Sequence, residues 1–341
     1  MSEIQICQPP SRSQRVMDVT FRGFSKAAAL ITVLLIVFIV LRIAKGATPA
    51  IHQYGAGFLT GTTWNPNQMQ FSVLPEIWGT LYSSLLALAV GSAFGVAAAV
   101  FMSEGYLSGF IFRVLKLVGL EYHRIWGRLP DRIEDLLRNL IELLAAIPSV
   151  VYGLWGLFVV IPLIRPLCSW LHAKAGWFPL FSSDLSGPGM LPAAFVLSIM
   201  ILPTIAAISR SALVAVPSKL RMAAYGLGAT RWETLLGVII PTALGGIFGG
   251  IVLAFGRALG ETMALAMLVG NSNRISVSLF SPANTLAALL ANNFPEAREK
   301  DVAVLMYAAL VLLAITMIVN VIGSLILQRA SAGTGEGNER A

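Results

Sequence analysis

The sequence predicts an all-α membrane protein with six transmembrane helices, and three observations support this prediction. Of the 341 residues, 56% are hydrophobic and only 12% are charged, whereas soluble domains carry about 25% charged residues. Apolar runs of the roughly 20 residues that a helix needs to cross a bilayer recur along the chain. The Lys and Arg residues lie mostly in every second segment between these runs, which would place them on the same side of the membrane.

Six apolar runs have the length and composition of membrane-spanning helices. In order, the predicted spans are 24–44, 77–101, 142–164, 190–208, 243–269 and 302–327. The first span follows a polar segment, 1–23, that is too long and too polar for a simple cleavable signal. We therefore interpret the first span as an uncleaved anchor.

The distribution of positive charge predicts that both termini are cytoplasmic. With this orientation, 16 of the 24 Lys and Arg residues fall in cytoplasmic parts and 7 fall outside. Cytoplasmic loops of membrane proteins carry such an excess. Residues 1–23 and 328–341 are then cytoplasmic tails, and the second has a composition typical of disorder. The net charge of +7 thus reflects membrane topology, and no nucleic-acid partner is predicted.

The segments between spans differ in character. The outer segment 46–76 holds aromatic residues and the turn formers "WNPNQ", and 165–189 contains "AGWFPLFSSDLSGPG", which suggests a short amphipathic or re-entrant segment. The cytoplasmic insertion 102–140 is basic and amphipathic. It predicts a helix lying in the inner leaflet, with an extra contact to a cytoplasmic partner as the alternative.

Sequence motifs for catalysis are absent from the chain. There is no "GxxxxGK[ST]", "HExxH" or "GxSxG", and the two cysteines have no metal-type spacing. Without a P-loop the chain cannot bind ATP in the usual way. We predict that it is not an enzyme and that it needs no cofactor or metal.

The cytoplasmic loop 217–241 has a distinctive pattern, "VPSKLRMAAYGLGATRWETLLGVIIP". Ser218 after Pro217 can start a helix, and small residues follow on its surface. Such a surface lets a partner approach closely. The small and apolar residues that would form it are Met222, Ala223, Ala224 and Gly228.

This loop resembles the EAA loop through which bacterial ABC importer permeases dock on their ATPase subunits. The spacing matches from 222 to 241, but Met222 stands where the family has Glu. The stretches "IELLAAIPSVVYGLWGLFVVIPL" and "GRALGETMALAMLVGN" closely resemble permeases of the phosphate-specific (Pst) importer, of the PstC type. The resemblance covers 24–327.

The resemblance implies the type I ABC permease fold, with its core at 77–327, in a bacterial inner (cytoplasmic) membrane. It implies a subunit that conducts inorganic phosphate by alternating access. The implied partners are a second permease of the PstA type, a PstB-type ATPase dimer and a PstS-type phosphate-binding protein outside the membrane, in addition to the surrounding lipid.

Two charges stand out in the run 236–270, where Arg257 and Glu261 are the only charged residues. Four residues apart on one helix, they would share a face. A charge in lipid is costly, so it should be paired or face an aqueous path. One interpretation is a structural salt bridge. The other is that Arg257 binds phosphate, which suits a guanidinium, while Glu261 orients it and balances its charge.

Three hydroxyls are further candidates for the path. Pro148 should break a helix, so Ser149 and Tyr152 could line the path or satisfy backbone groups freed by the proline. Thr204, next to Pro203, has the same two interpretations. The glycine-rich face that includes Gly246, Gly250 and Gly256 predicts close helix packing, either within the chain or against a second permease.

Two other functions compete with phosphate import. The first is a permease for another oxyanion. The second, from a different class, is a proton-coupled secondary anion carrier in which Glu261 takes up the proton. A secondary carrier has no need of a docking loop for an ATPase, so this loop favours the ABC permease. A membrane enzyme is disfavoured because no nucleophile and base occur together in the spans.

Overall fold

The computed structural model describes residues 12–104 and 129–335. Within these residues, six helical segments are long and apolar enough to cross a membrane. They confirm the predicted number and order of the spans, whereas the orientation with both termini inside stays a prediction. The segments are Arg12–Tyr54, Leu74–Ser103, Ser149–Ala175, Met190–Val214, Arg231–Leu259 and Lys300–Arg329.

The first helix, α1 (Arg12–Tyr54), is longer than predicted. Its 43 residues span about 65 Å at the usual helical rise, more than a bilayer is thick. Residues 12–23, predicted as part of a tail, are helical because no proline interrupts the chain before the apolar run, and the single glycine there, Gly23, lies within the helix. Residues 1–11 lie outside the described part.

The segment 46–76, predicted to lie outside the membrane, forms a small ordered cap. After α1 come helix α2 (Gly57–Thr60) and a two-residue hairpin, β1 (Trp64–Asn65) with β2 (Gln70–Phe71), paired antiparallel with Trp64 opposite Phe71. The "WNPNQ" stretch makes the turn because the Asn65 side chain accepts hydrogen bonds from the backbone of residues 67 and 68. The class is therefore helical with one short hairpin.

The next helix, α3 (Leu74–Ser103), extends the predicted second span by a few residues at each end. Of the predicted insertion 102–140, residues 105–128 lie outside the described part of the chain. Residues 102–104 form the end of α3, and 129–140 belong to α4 (Leu129–Ala146), which continues beyond the predicted end. Its role at the inner leaflet stays a prediction.

The third span begins later than predicted, since α4 ends before Pro148. Helix α5 (Ser149–Trp155), a π turn (Gly156–Val160) and α6 (Ile161–Ala175) then form one segment of span length. The predicted bounds, 142–164, were wrong because proline ends the preceding helix. The outer segment 165–189 is consequently helical to Ala175, followed by a 3-10 turn at Pro179–Phe181.

Helix α7 (Met190–Val214) lies at the centre of the molecule. In its most apolar stretch 61% of residues are buried, against 22% for α3 and none for α1. Gly91 and Gly95 of α3 face Ile201 and Ile205 of α7, and an added Cβ at either glycine would lie 2.9 Å from the isoleucine. Small residues thus let α3 and α7 pack closely.

The predicted cytoplasmic loop and the fifth span form a chain of short elements. They are α8 (Ser218–Gly226), α9 (Arg231–Thr234), a π turn (Leu235–Ile239), α10 (Ile240–Leu259) and α11 (Met263–Leu268). The predicted span 243–269 is therefore not one helix, because α10 ends at Leu259.

The last described elements are α12 (Leu286–Asn293), a 3-10 turn (Phe294–Glu296) and α13 (Glu299–Gly335). The predicted tail 328–341 is helical as far as Gly335, and the rest is outside the described residues. The glycine face of α10 packs within the chain, since Gly246 faces Ala212 of α7 and Gly256 faces Asn320 of α13.

Candidate functional site

The break between α10 and α11 is the most distinctive local feature of the fifth span. Helix α11 packs on α5, where an added Cβ at Gly153 would lie 2.7 Å from Met267 Sδ. Its far end is tied to two other segments, because Leu268 O accepts a hydrogen bond from Gly189 N and Val269 O accepts one from Ala283 N. These contacts hold α11 in place separately from α10. Residues 260–262 connect the two helices.

This break separates Arg257 from Glu261. Arg257 lies in the last turn of α10, where the partial negative charge of a helix C-terminus favours a cation. Glu261 precedes α11, and its Oε1 accepts a hydrogen bond from Ala264 N at 3.4 Å, so it meets the partial positive charge of a helix N-terminus. The expectation of one shared helix face is wrong because the helix does not continue between them.

No ion pair within 4.0 Å joins Arg257 and Glu261 in the described part of the chain. Arg257 instead donates from Nη1 to Thr204 Oγ1 at 3.5 Å, and its side chain is otherwise exposed. Thr204 lies beside Pro203 near the middle of α7. The arginine therefore reaches the mid-height of the central helix with most of its donors free.

Tyr152 belongs to the same cluster, whereas Ser149 does not join it. Arg257 is close enough to act electrostatically on the Tyr152 hydroxyl. That hydroxyl donates to Leu144 O at 2.8 Å across the Pro148 break. This agrees with the interpretation in which Tyr152 satisfies a backbone group that the proline leaves without a donor. No hydrogen bond links Ser149 to Arg257 or Thr204 among the described residues.

The cluster can bind an oxyanion without further groups. Arg257 offers a permanently charged fork of N–H donors, and the Thr204 hydroxyl can donate a further bond. No group of His, Cys, Asp and Glu suited to a metal ion occurs in the described residues.

The predicted docking residues lie on the short helix α8 and in the turn that follows it. Met222 is 71% exposed, Ala223 is exposed, and Ala224 faces inward. Gly228 has a φ of +89° and nothing within 4 Å of where a Cβ would stand, which is the left-handed conformation that ends helices. Leu227 is 89% exposed, so an apolar surface points outward.

The start of helix α9 fixes the turn that follows α8. The Thr230 side chain accepts from Glu233 N, and the Glu233 carboxylate accepts from Thr230 N at 2.8 Å. This capping box holds the turn between α8 and α9, so Gly228 and Leu227 have a defined position.

The sequence matches a family model described as binding-protein-dependent transport system inner membrane component, over residues 124–332. The chain belongs to this family. It is also 36% identical to the phosphate transport system permease protein PstC of Mesorhizobium japonicum, over 98% of this chain and 100% of that protein. The PstC protein of Xylella fastidiosa (strain Temecula1) is 35% identical over 93% of both chains.

Solved structures show the same fold at low identity. A chain of a bacterial alginate ABC transporter superposes with a TM-score of 0.56 at 14% identity, over 92% of this chain and 96% of that one. A chain of the inward-facing methionine transporter MetNI gives 0.53 at 16% identity, over 79% and 99%. The chain is thus a multi-pass inner-membrane protein with the ABC importer permease fold.

One residue in this member of the family was missed by the sequence analysis. Glu76, in the first turn of α3, is fully buried. Asn284 adjoins it, but neither carboxylate oxygen makes a hydrogen bond of ordinary geometry within the described residues. Glu76 fell just outside the predicted span 77–101, and an acidic residue after a proline reads as an ordinary helix start.

Replacing Glu76 with glutamine should not destabilise the protein. A buried carboxylate whose oxygens make no hydrogen bond within the described residues is costly, and the amide is neutral and has nearly the same shape. We expect Glu76→Gln to keep native expression, with a thermal midpoint equal to the native one or about 2–4 °C higher. Fluorescence-detected thermal unfolding in detergent measures this midpoint. Thr80→Val at the same helix face is the control, since it removes a hydroxyl that does bond, to Leu286 N, and should lower the midpoint.

Proposed function

We propose that this chain is a transmembrane permease subunit of an ATP-driven inorganic phosphate importer. The observation that carries the proposal is the similarity, over nearly the whole chain, to relatives named phosphate transport system permease protein PstC. The exposed guanidinium of Arg257 beside Thr204 supplies chemistry that fits a phosphate oxyanion.

The mechanism is alternating access driven from the cytoplasmic side. An external binding protein of the PstS type delivers phosphate to this chain and a PstA-type permease. ATPase subunits of the PstB type close on ATP and move α8 through the surface formed by Met222, Ala223 and Gly228. The spans rock, and Arg257 faces first one side of the membrane and then the other. Both termini are cytoplasmic in this arrangement.

Arg257 is the phosphate-binding residue of this path, and Thr204 adds a hydroxyl. Glu261 stays at the start of α11 while phosphate is bound, and it balances the arginine when the site is empty. A transport site must release its ion, so a nearby carboxylate that competes for the guanidinium is useful. Tyr152 stabilises the break between α4 and α5, and Ser149 lies at the edge of the path.

Uptake of labelled phosphate tests the proposal. Cells that lack their own phosphate importer receive the whole complex, either native or with an inactive ATPase. We expect phosphate uptake only with the active ATPase. Sulfate uptake should stay at about the background level. Sulfate uptake in place of phosphate would indicate a permease for another oxyanion.

A proton-coupled carrier is the second candidate, and Glu261 is the observation that favours it. In that case uptake would persist with the inactive ATPase and would stop when a protonophore collapses the proton gradient. Glu261→Gln would also abolish it. Under the importer proposal, an intact proton gradient is not required and the inactive ATPase alone stops uptake.

A further inference from the structure

An ion pair joins the docking helix to two membrane-spanning helices. Arg221, on α8, donates from Nη1 to Glu104 Oε1 at 2.7 Å and from Nη2 to Leu213 O at 3.0 Å. Glu104 directly follows α3, and Leu213 lies in the last turn of α7. One guanidinium therefore holds three segments together at their cytoplasmic ends.

The environment makes this junction stronger than a surface salt bridge. The Arg221 and Glu104 side chains are only 22% and 8% exposed, so water screens their charges little. The distance is that of a charge-assisted hydrogen bond. The carbonyl at the end of α7 carries partial negative charge, which a cation stabilises.

The geometry also requires arginine in particular. The two bonds leave different nitrogens of one planar group and reach two different helices. A lysine has one ammonium on a flexible stem and cannot hold both partners in a fixed arrangement. The side chain thus acts as a rigid bracket between α8, α3 and α7.

The position of this bracket connects the docking surface with the anion site. Met222, the next residue, points outward and is exposed, while Arg221 points inward. Thr204, which contacts Arg257, lies on α7 nine residues before Leu213, about 14 Å along the helix axis. A push on α8 therefore reaches the helix that carries Thr204 without passing through a loop.

We infer that the Glu104–Arg221 pair is the mechanical link through which movement of α8 is transmitted to α3 and α7. Arg221 is a positioning residue, since it does not touch the transported anion. The link makes the three helices move as one body when the ATPases close. This inference rests on the proposed function, because it presumes an ATPase that moves α8.

The first arm measures phosphate transported per ATP hydrolysed by the complete complex in proteoliposomes. Arg221→Ala and Glu104→Ala should lower this ratio about tenfold while ATP hydrolysis continues. Arg221→Lys should fall between these variants and the native protein. The double swap Glu104→Arg with Arg221→Glu should recover part of the ratio, which a general loss of folding would not.

The control is Arg298→Ala. It removes an arginine whose partner, Asp301, is three residues away on the surface at 3.4 Å, so no two helices are joined. We expect its ratio to equal the native one. The inference would be overturned if both single alanine variants transported as much phosphate per ATP as the native protein. It would also be overturned if the double swap transported no more phosphate per ATP than Glu104→Arg alone or Arg221→Glu alone.

The second arm does not depend on the transported substrate. Spin labels at Lys219→Cys on α8 and Phe101→Cys on α3, with Cys7 and Cys168 replaced by serine, report the distance between the two helices. It should stay the same with and without ATP, and change with ATP in Arg221→Ala. Equal behaviour of both proteins overturns the link. If the native complex takes up no phosphate, the proposed function fails and this distance decides the link by itself.

Discussion

Replacing Arg257 with alanine is expected to abolish ATP-dependent phosphate uptake. The guanidinium is the one charged donor that the structure places in the cluster with Thr204 and Tyr152, within the described residues. Hydrogen bonds to a charged group contribute about 1.5–3 kcal/mol each, so losing one or two lowers the initial rate about 10- to 100-fold or more. Labelled-phosphate uptake measures this rate, and immunoblotting of membranes shows that the variant is inserted.

Graded variants distinguish charge from geometry at this site. Arg257→Lys keeps the charge but not the fork, so we expect an intermediate rate. Thr204→Val removes a neutral hydroxyl and should lower the initial rate of phosphate uptake only a few-fold. Arg42→Ala, which removes an exposed arginine of α1, is the matched control and should behave like the native protein. Uptake by Arg257→Ala within twofold of native would leave the arginine with a structural role only.

Replacing Gly228 with leucine is expected to uncouple ATP hydrolysis from uptake. Its φ of +89° is strained for any residue with a Cβ, at about 1–2 kcal/mol, and no atom of the chain lies within 4 Å of that Cβ. The added side chain would thus project into the space that the proposed function assigns to the ATPase. We expect the protein to insert normally, with uptake reduced at least about tenfold and ATP hydrolysis continuing.

A second glycine separates docking from strain. Gly55, at the outer end of α1, also has positive φ, +51°, and its Cβ would approach only Ile51 O at 4.0 Å. Gly55→Leu therefore introduces similar strain on the opposite side of the predicted membrane. Uptake should remain near native in this variant. If both variants lose uptake equally, strain explains the result, and normal uptake by Gly228→Leu would remove the docking role.

Apolar pattern and proline predicted most of the fold because those signals are local. Six runs of sufficient length gave six spans, and Pro148 ended a helix as expected because proline lacks the backbone donor. Errors arose at span boundaries. The third span was placed too early, since the amphipathic α4 ends in apolar residues that resemble the start of a span.

The candidate site was predictable only in part. Arg257 and Thr204 were selected because polar groups in apolar runs are unusual, and the structure brings them together. No local pattern indicates that Arg257 and Glu261 belong to different helices. Glycine at 260 is compatible with a continuous span, and the break follows from the packing of α11 on α5.

The sequence by itself determined the class of the molecule and the number and order of its spans, and it singled out Arg257, Glu261 and the loop 217–241 as candidates, because composition, periodicity and proline act over short stretches of chain. Only the tertiary structure decided which of these residues are partners. Glu76 adjoins Asn284, about 200 residues further along the chain, and Glu104 and Arg221 are 117 residues apart. Such contacts depend on how helices pack, and no local pattern records that.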